Sequence, residues 1–234
     1  MLKIEKSLNN FLKLSQTERN VTYLVEDEVF KVEEDITGAK FNEETVLIQE
    51  ILPQNVYYKR DNQKLRKTAA NMLLNAVNNL HKISECKLTL RILDSYRTLK
   101  RQEEIFRRFE KEVFENEGLT GKALWDRVTQ FVADPKLSPP HTTGGAVDVR
   151  LVTYVDNQEV DLGPGMEASE TSYTWYDGDR ISNEAKKNRK LLNDIMIEVG
   201  FVNLPTEWWH YSYGDKYWAA VLGINQKAFY GSIK

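Results

Sequence analysis

The sequence predicts a single α+β domain in which helices alternate irregularly with short strands. The chain has 234 residues, 41% of them apolar and 29% charged, which is the composition of an ordinary globular protein. Apolar spacings of three and four residues, typical of helices, occur between runs of alternating polarity, typical of strands. No repeat of about 20–50 residues is visible, which argues against a solenoid or a propeller.

The first third of the chain predicts up to two early strands, one helix and a further strand. Residues 1–50 carry weak signals, and VTYLVEDEVFKVEED, starting at Val21, has enough alternation for one or two strands. From Asp61 an apolar stripe predicts a helix ending near His81, a residue expected to be structural at the helix C-terminus. KLTLRIL, starting at Lys87, then predicts a strand with one buried face. The stripe consists of Leu65, Ala69, Met72, Ala76, Leu80 and Ile83.

Two helices are predicted in the middle of the chain. DSYRTLKRQEEIFRRFEKEVFENEG reads as a turn and a helix that Gly118 ends, with i,i+4 pairs Glu103–Arg107 and Glu104–Arg108. The short helix KALWDRVTQFV follows. It is cut off by ADPKLSPP, whose three prolines argue against regular structure.

The last third of the chain predicts two strands separated by a long loop and a helix. AVDVRLVTYV reads as a strand followed by a turn at Asp156-Asn157. The polar stretch 163–181 is typical of a functional loop or lid. Ser182 or Asn183 can cap a helix that ends at Gly200, and EWWHYSY predicts a final buried strand. The inward face of that helix comprises Ala185, Leu192, Ile195 and Val199.

Charge and cysteine content restrict the class of protein. A formal net charge of −3 gives no global attraction for nucleic acid or anionic lipid, so neither is an expected partner. No run of about eighteen apolar residues is present, and the first residues lack the apolar core of a signal peptide. Cys86 is the single cysteine, so no internal disulfide can form. We expect a cytoplasmic protein, or a periplasmic one if a leader has been removed.

Two stretches, PPHTTGGAVDVRL and TEWWHYSYGD, hold two of the three histidines together with nearby carboxylates. A hydrolytic zinc site has three protein ligands drawn from imidazole, thiolate and carboxylate. With one cysteine, His141, Asp148 and His210 are the candidate ligands. Asp148 lies on the strand face opposite Val147 and Val149, so its carboxylate can point into a cleft. Gly144 and Gly145 allow a sharp turn before that strand.

Glu207, three residues before His210, is close enough in sequence to share the same cavity. In a flat strand, residues i and i+3 point to opposite faces, so sharing one cavity requires a bend or a bulge. Each of these residues taken singly also fits a structural role. A histidine beside tryptophans is usually a hydrogen-bonded core residue, and a strand aspartate often lies at a turn or an edge.

Three segments together resemble signatures of the zinc D,D-peptidases, in particular the VanX-type D-alanyl-D-alanine dipeptidases. HTTGGAVDVRL is similar to H-x-x-G-x-A-x-D, EWWH to E-x-W-H, and DSYR to D-x-Y-R, within a likeness over roughly residues 60–215. The resemblance implies an α+β fold with a central antiparallel sheet flanked by helices. It implies one zinc held by His141, Asp148 and His210, with Glu207 as acid/base. Arg97 would stabilise charge, although a salt bridge at the start of the next helix is its alternative role.

The resemblance also implies substrate contacts from Tyr96, Ser138 and Glu167, and here the sequence departs from the family pattern. The family usually has serine two residues before the first zinc histidine, where this chain has Pro139, with Ser138 one residue further out. Glu167, in GPGME, stands where the family has an aspartate that helps to hold the substrate ammonium. Both changes bear on which dipeptide is bound.

The function implied is zinc-dependent hydrolysis of D-alanyl-D-alanine or a similar small D,D-dipeptide, in cell-wall precursor turnover. Residues 1–50 would be an N-terminal extension of the same domain, and residues 51–234 the catalytic domain. The alternatives are a D,D-carboxypeptidase acting on longer cell-wall peptides, a non-catalytic zinc-binding module, and a metal-free structural protein whose histidines belong to the core.

Overall fold

The centre of the molecule is a five-stranded sheet. The computed structural model describes residues 42–165, 181–204, 207–222 and 228–233. The strands are β1 (Thr45–Leu47), β2 (Tyr57–Tyr58), β3 (Lys64–Arg66), β4 (Leu88–Asp94), β5 (Ala146–Thr153), β6 (Val202–Leu204) and β7 (Glu207–Ser212). The helices are α1 (Ile48–Ile51), α2 (Lys67–Ile83), α3 (Leu99–Glu117), α4 (Gly121–Thr129), α5 (Pro140–Thr143), α6 (Asn183–Glu198) and α7 (Lys216–Val221).

The strand order of the central sheet is β2-β4-β5-β7-β6. The pairs from β4 to β6 are antiparallel, which confirms the predicted central antiparallel sheet, while the two-residue edge strand β2 is parallel to β4. A separate two-stranded sheet pairs β1 with β3. The register places Asp94 opposite Asp148, and Asp148 opposite His210. Three polar residues therefore lie in one row across neighbouring strands.

The core lies between one face of the sheet and helices α2 and α6. Val147, Val149 and Leu151 of β5 are fully buried in this core, as their alternation with Asp148 predicted. Ile48, just before the predicted boundary at residue 50, belongs to the same core. Helix α2 contributes Ala69, Ala70, Leu73, Ala76, Val77 and Leu80, and helix α6 contributes Leu192, Ile195 and Met196.

Helix α2 begins later than its apolar spacing predicted, and this part of the prediction was wrong. Leu65 is buried in strand β3, where it pairs with Val46 of β1, and the helix starts at Lys67. At the other end, Ile83 is 59% exposed and does not belong to the buried stripe. Leu65 lies at helical spacing from Ala69, so periodicity alone could not separate the strand residue from the helix that follows it.

The proline-rich stretch was predicted to lack regular structure, and this was also wrong. Pro135–Leu137 form a 3₁₀ turn and Pro140–Thr143 form the single helical turn α5. Proline is tolerated in the first turn of a helix, because the N–H that it lacks would have no partner within the helix. His141 therefore lies in a helical turn and not in an extended loop.

The remaining helices largely follow the predictions. Helix α3 ends at Gly118, whose φ of 67° is left-handed, and Glu103 pairs with Arg107. The predicted Glu104–Arg108 pair is replaced by Arg101–Glu104 and Arg108–Glu112 pairs. Ser182, not Asn183, caps α6 by accepting a hydrogen bond from the Ala185 N–H.

Some predictions fall outside the described residues. The early strands predicted from Val21 and most of the predicted 163–181 loop lie there. Within the described ranges, no helix has both the length and the apolar character needed to cross a bilayer.

Candidate metal centre and active site

His141 is fixed in orientation by the backbone around it. It lies on α5, which ends at Gly144 with a left-handed φ of 75°, and the chain turns there into β5. The His141 Nδ1 lies 2.8 Å from the Ser95 carbonyl oxygen. A carbonyl oxygen can only accept a hydrogen bond, so Nδ1 carries the proton and the lone pair of the neutral ring is on Nε2. That Nε2 lies 3.2 Å from Asp148 Oδ1.

His210 presents its other ring nitrogen to the same carboxylate. Because Asp148 and His210 are opposite each other in the β5–β7 register, His210 Nδ1 lies 2.9 Å from Asp148 Oδ1. The Nε2 of His210 lies 3.1 Å from the Ser212 hydroxyl oxygen. Ser212 is two residues further along the strand and therefore on the same face. It can hold the tautomer that leaves the Nδ1 lone pair facing Asp148.

The three donor atoms lie close enough together to converge on one metal ion. They all lie within 4.8 Å of one another, and the three side chains are 2–9% exposed. A tetrahedral zinc with bonds of about 2.0–2.1 Å separates neighbouring ligand atoms by roughly 3.3 Å, close to the two distances to Asp148 Oδ1. Two imidazoles and one carboxylate are also a donor set that zinc accepts in hydrolytic sites. The residues present fit a zinc ion.

The electrostatics of the cluster favour a bound cation. Burial alone would raise the pKa of Asp148, but the adjacent His141 and His210 hold it well below its usual range. Burial alone would lower the pKa of His210, but the hydrogen bond and charge of Asp148 raise it. Asp148 is thus an ionised carboxylate between two imidazoles, and its negative charge can be neutralised by protons on the histidines or by a metal ion.

Glu207 reaches the cluster through an irregularity in strand pairing. Leu204 is opposite Glu207 while Asn203 is opposite Tyr211, so three residues of β7 have no counterpart on β6. The bend or bulge that the sequence required is thereby confirmed. Glu207 Oε2 lies 4.0 Å from His210 Nδ1, and 28% of the side chain is exposed. Desolvation, followed by the charge of Asp148, raises the pKa of Glu207, while His210, His141 and Arg97 oppose the shift.

Arg97 is held beside the cluster by three hydrogen bonds. Its backbone N–H donates to the His141 carbonyl at 3.0 Å, Nη2 donates to Asp94 Oδ2 at 2.7 Å, and Nη1 donates to Gln102 Oε1 at 2.7 Å. Gln102 in turn donates to the Ala133 carbonyl at 2.7 Å. The salt bridge weighed as the alternative role of Arg97 therefore exists, to Asp94. Nε of Arg97 is buried, and no acceptor for it is found in the described part of the chain.

The family of the chain follows from comparison with known proteins. A profile of the D-Ala-D-Ala dipeptidases, peptidase family M15, matches residues 26–229. The chain belongs to this family. The resemblance inferred from the sequence motifs is thereby confirmed, and the protein is a peptidase of the D-Ala-D-Ala dipeptidase family.

Two relatives and two solved structures illustrate the similarity. The chain is 32% identical over 193 residues to a D-alanyl-D-alanine dipeptidase of Synechocystis sp., covering 66% of this chain and 77% of the relative. It is 36% identical over 83 residues to one of Escherichia coli, covering 35% and 42%. The vancomycin-resistance D,D-pentapeptidase VanY, solved as a mutant with Zn(II), is 16% identical with a TM-score of 0.46, covering 82% and 90%. The LdcB LD-carboxypeptidase is 19% identical with a TM-score of 0.42, covering 74% and 73%.

The predicted substrate residues of this family member are not joined to the metal cluster. Tyr96 is half-buried next to Arg66, and Ser138 has a left-handed φ of 53° at the end of the 3₁₀ turn. Within the described ranges, neither makes a hydrogen bond or ion pair to the cluster. Glu167 lies outside the described residues. The roles of all three residues stay predictions. His81 is outside the cluster, as expected, and its Nε2 contacts Thr89 Oγ1 at 3.0 Å.

The residues that orient the site were not predicted from the sequence. Ser212 could have been found, because it follows His210 by two residues on a predicted strand and so shares its face. Asp94 could also have been found, as it opens the DSYR segment three residues before Arg97. Ser95, Gln102 and Asn203 carried no such signal, because their contacts join segments distant in the sequence or depend on the β6–β7 register.

Proposed function

We propose that this chain is a zinc-dependent dipeptidase that hydrolyses D-alanyl-D-alanine or a closely related D,D-dipeptide. The observation that carries the proposal is the buried set of His141, Asp148 and His210, whose donor atoms all lie within 4.8 Å of one another. The substrate is supported by the two relatives, both of which are D-alanyl-D-alanine dipeptidases.

One zinc ion per chain would be held by His141 Nε2, Asp148 and His210 Nδ1. Zinc, when bound, supplies Lewis acidity, which polarises a carbonyl group and makes water more acidic. The set contains one anionic ligand, so an occupied site would keep net positive charge near the developing oxyanion. Ser95 and Ser212 hold the two imidazoles from behind, and support of this kind typically changes metal affinity by about 10–100-fold.

Glu207 would act as the general base and then as the general acid. Its carboxylate, 4.0 Å from His210 Nδ1, lies beside the ligand set without belonging to it, where it would face a water molecule bound at the metal site. It accepts a proton from the attacking water and delivers it to the amine nitrogen of the leaving amino acid. General acid–base catalysis of this kind contributes roughly 10²–10⁴-fold to the rate.

Arg97 would stabilise the negative charge that develops on the carbonyl oxygen. A guanidinium has five N–H donors, and Asp94 and Gln102 fix the plane of this one by accepting from two of them. The remaining donors include the buried Nε. A rigid cation with donors to spare is suited to an oxygen that becomes charged only in the transition state.

A dipeptidase differs from a carboxypeptidase because it requires a free, positively charged amine on the substrate. Glu167 is the proposed partner of that ammonium, and acetylation would remove the charge that it pairs with. We therefore expect zinc-loaded protein to cleave free D-Ala-D-Ala at least about 100-fold faster than N-acetyl-D-Ala-D-Ala, judged by kcat/KM, and to leave L-Ala-L-Ala intact.

Two other outcomes of this experiment would each support one of the alternative functions. Equal cleavage of the free and acetylated substrates would replace the dipeptidase with a D,D-carboxypeptidase. Stoichiometric zinc with no hydrolysis of any of the three substrates would favour a non-catalytic zinc-binding module.

A further inference from the structure

Where β6 pairs with β7, strand β7 has a bulge that contains more residues than the segment of β6 opposite it. Consecutive residues Asn203 and Leu204 on β6 face Tyr211 and Glu207 on β7. Between those two partners, β7 contains Trp208, Trp209 and His210, which have no counterpart on β6. The expanded segment thus begins at the proposed general base and ends at the proposed metal ligand. Its shape decides where both functional groups point.

The side chain of Asn203 fills this expansion. Its amide nitrogen Nδ2 lies 2.9 Å from the His210 carbonyl oxygen, 3.2 Å from that of Glu207 and 3.3 Å from that of Trp208. Asn203 is 5% exposed, so these contacts are shielded from water. In regular antiparallel pairing, backbone N–H groups of the neighbouring strand would satisfy such carbonyl groups. Here a single side chain replaces those donors.

Asn203 is itself held in place. Its backbone carbonyl accepts a hydrogen bond from the Tyr217 hydroxyl at 3.1 Å. On its other side, β7 pairs with β5 through Asp148 and His210, so the end of the expanded segment is fixed to the metal cluster. The amide of Asn203 therefore connects residues 207–210 of β7 to the neighbouring strand β6.

We propose that Asn203 is a positioning residue, whose amide holds the expanded β7 segment so that Glu207 and His210 face the same cavity. The proposal rests on the proposed function of those two residues. A flat strand would direct Glu207 and His210 to opposite faces, whereas in this structure Glu207 Oε2 lies 4.0 Å from His210 Nδ1. Loss of the amide removes the side-chain donor that three carbonyl oxygens share, and the segment is then free to relax towards regular pairing.

The test compares Asn203→Ala with a matched control, Asn79→Ala, which removes a side-chain amide on helix α2 that donates to Glu198 at 3.2 Å. Zinc affinity is measured by chelator competition, and cobalt(II) binding by its visible absorption spectrum, since both report the ligand geometry without turnover. Kinetics on D-Ala-D-Ala at saturating zinc then separate kcat from KM. If Asn203→Ala does not accumulate as folded protein, Asn203→Ser, which keeps one donor, is measured instead.

For Asn203→Ala we expect zinc affinity to fall about 10–100-fold, the typical effect of removing support from a metal ligand. We also expect an altered cobalt spectrum and a kcat at least tenfold lower at saturating zinc, with KM within about threefold. Asn79→Ala should keep all three properties near wild type, even if its melting temperature falls. The proposal would be overturned by an Asn203 variant whose melting temperature falls while its zinc affinity, cobalt spectrum and kcat stay unchanged. Wild-type protein that binds zinc but does not cleave D-Ala-D-Ala would instead refute the proposed function, and the metal measurements would still decide the role of Asn203.

Discussion

Replacing Arg97 by lysine tests the proposed stabilisation of the transition state. The substitution keeps the positive charge beside Asp94, whose side chain is only 9% exposed and whose other oxygen pairs with Arg60 at 3.5 Å, and so avoids weakening the charge pairing of a buried carboxylate. It removes the planar fork that Asp94 and Gln102 hold at 2.7 Å each. A single ammonium on a flexible stem cannot maintain both contacts and also direct a donor at the substrate oxygen.

The expected magnitude follows from the loss of one such donor. Removing an oxyanion donor costs about 3–4 kcal/mol, and about 1.4 kcal/mol corresponds to a factor of ten. We therefore expect kcat to fall roughly 10²–10³-fold, with KM within about threefold, because the oxygen carries little charge before the transition state. The assay is D-alanine release from D-Ala-D-Ala by zinc-loaded protein.

Arg101→Lys provides a matched control for this substitution. Arg101 lies on helix α3, four residues after Arg97, is half exposed and pairs with Glu104 at 3.2 Å, so its replacement should leave both constants unchanged. An Arg97→Lys variant with normal kcat and a raised KM would show that Arg97 binds the substrate in its ground state. If neither kcat nor KM changes, Arg97 has no role in catalysis and serves only as an ion-pair partner of Asp94.

Three further predictions concern the metal cluster and the base. Glu207→Gln should retain one zinc per chain but lose roughly 10²–10⁴-fold in kcat, and retained turnover would remove Glu207 from its role. His210→Ala should lose stoichiometric zinc in metal analysis and also lose the thermal stabilisation that added zinc gives the wild type; tight zinc binding by this variant would contradict the ligand assignment. Because Asp148 raises the pKa of His210, a proton competes with zinc below that pKa. Zinc affinity should therefore begin to fall at a pH above the ordinary histidine value of about 6.5, by roughly tenfold per pH unit, and a constant affinity between about pH 5 and 8 would refute the linkage.

The candidate ligands could be predicted from sequence because their signals are local. His141 and Asp148 are separated by a glycine turn and part of one strand, and the apolar residues alternating with Asp148 indicated which way its carboxylate points. The pairing of Asp148 with His210 could not be predicted, since it depends on the register between two strands about sixty residues apart. The family resemblance supplied that link, and the structure provides its geometry.

The groups that support the site were less accessible to prediction. A bulge near Glu207 was required by strand geometry, but its size and its filling by Asn203 depend on the pairing with β6. Leu65 shows the same limit in the fold, because its helical spacing concealed its pairing with Val46. Spacing along the chain reports which face a residue occupies, and it does not report which distant segment covers that face.

The most direct test of the central claim is a crystal structure of zinc-loaded protein with diffraction data collected on both sides of the zinc absorption edge. We predict one anomalous peak per chain, about 2.0–2.2 Å from His141 Nε2, an Asp148 carboxylate oxygen and His210 Nδ1. A zinc peak bound elsewhere, or none at these three side chains in protein that hydrolyses D-Ala-D-Ala, would contradict it.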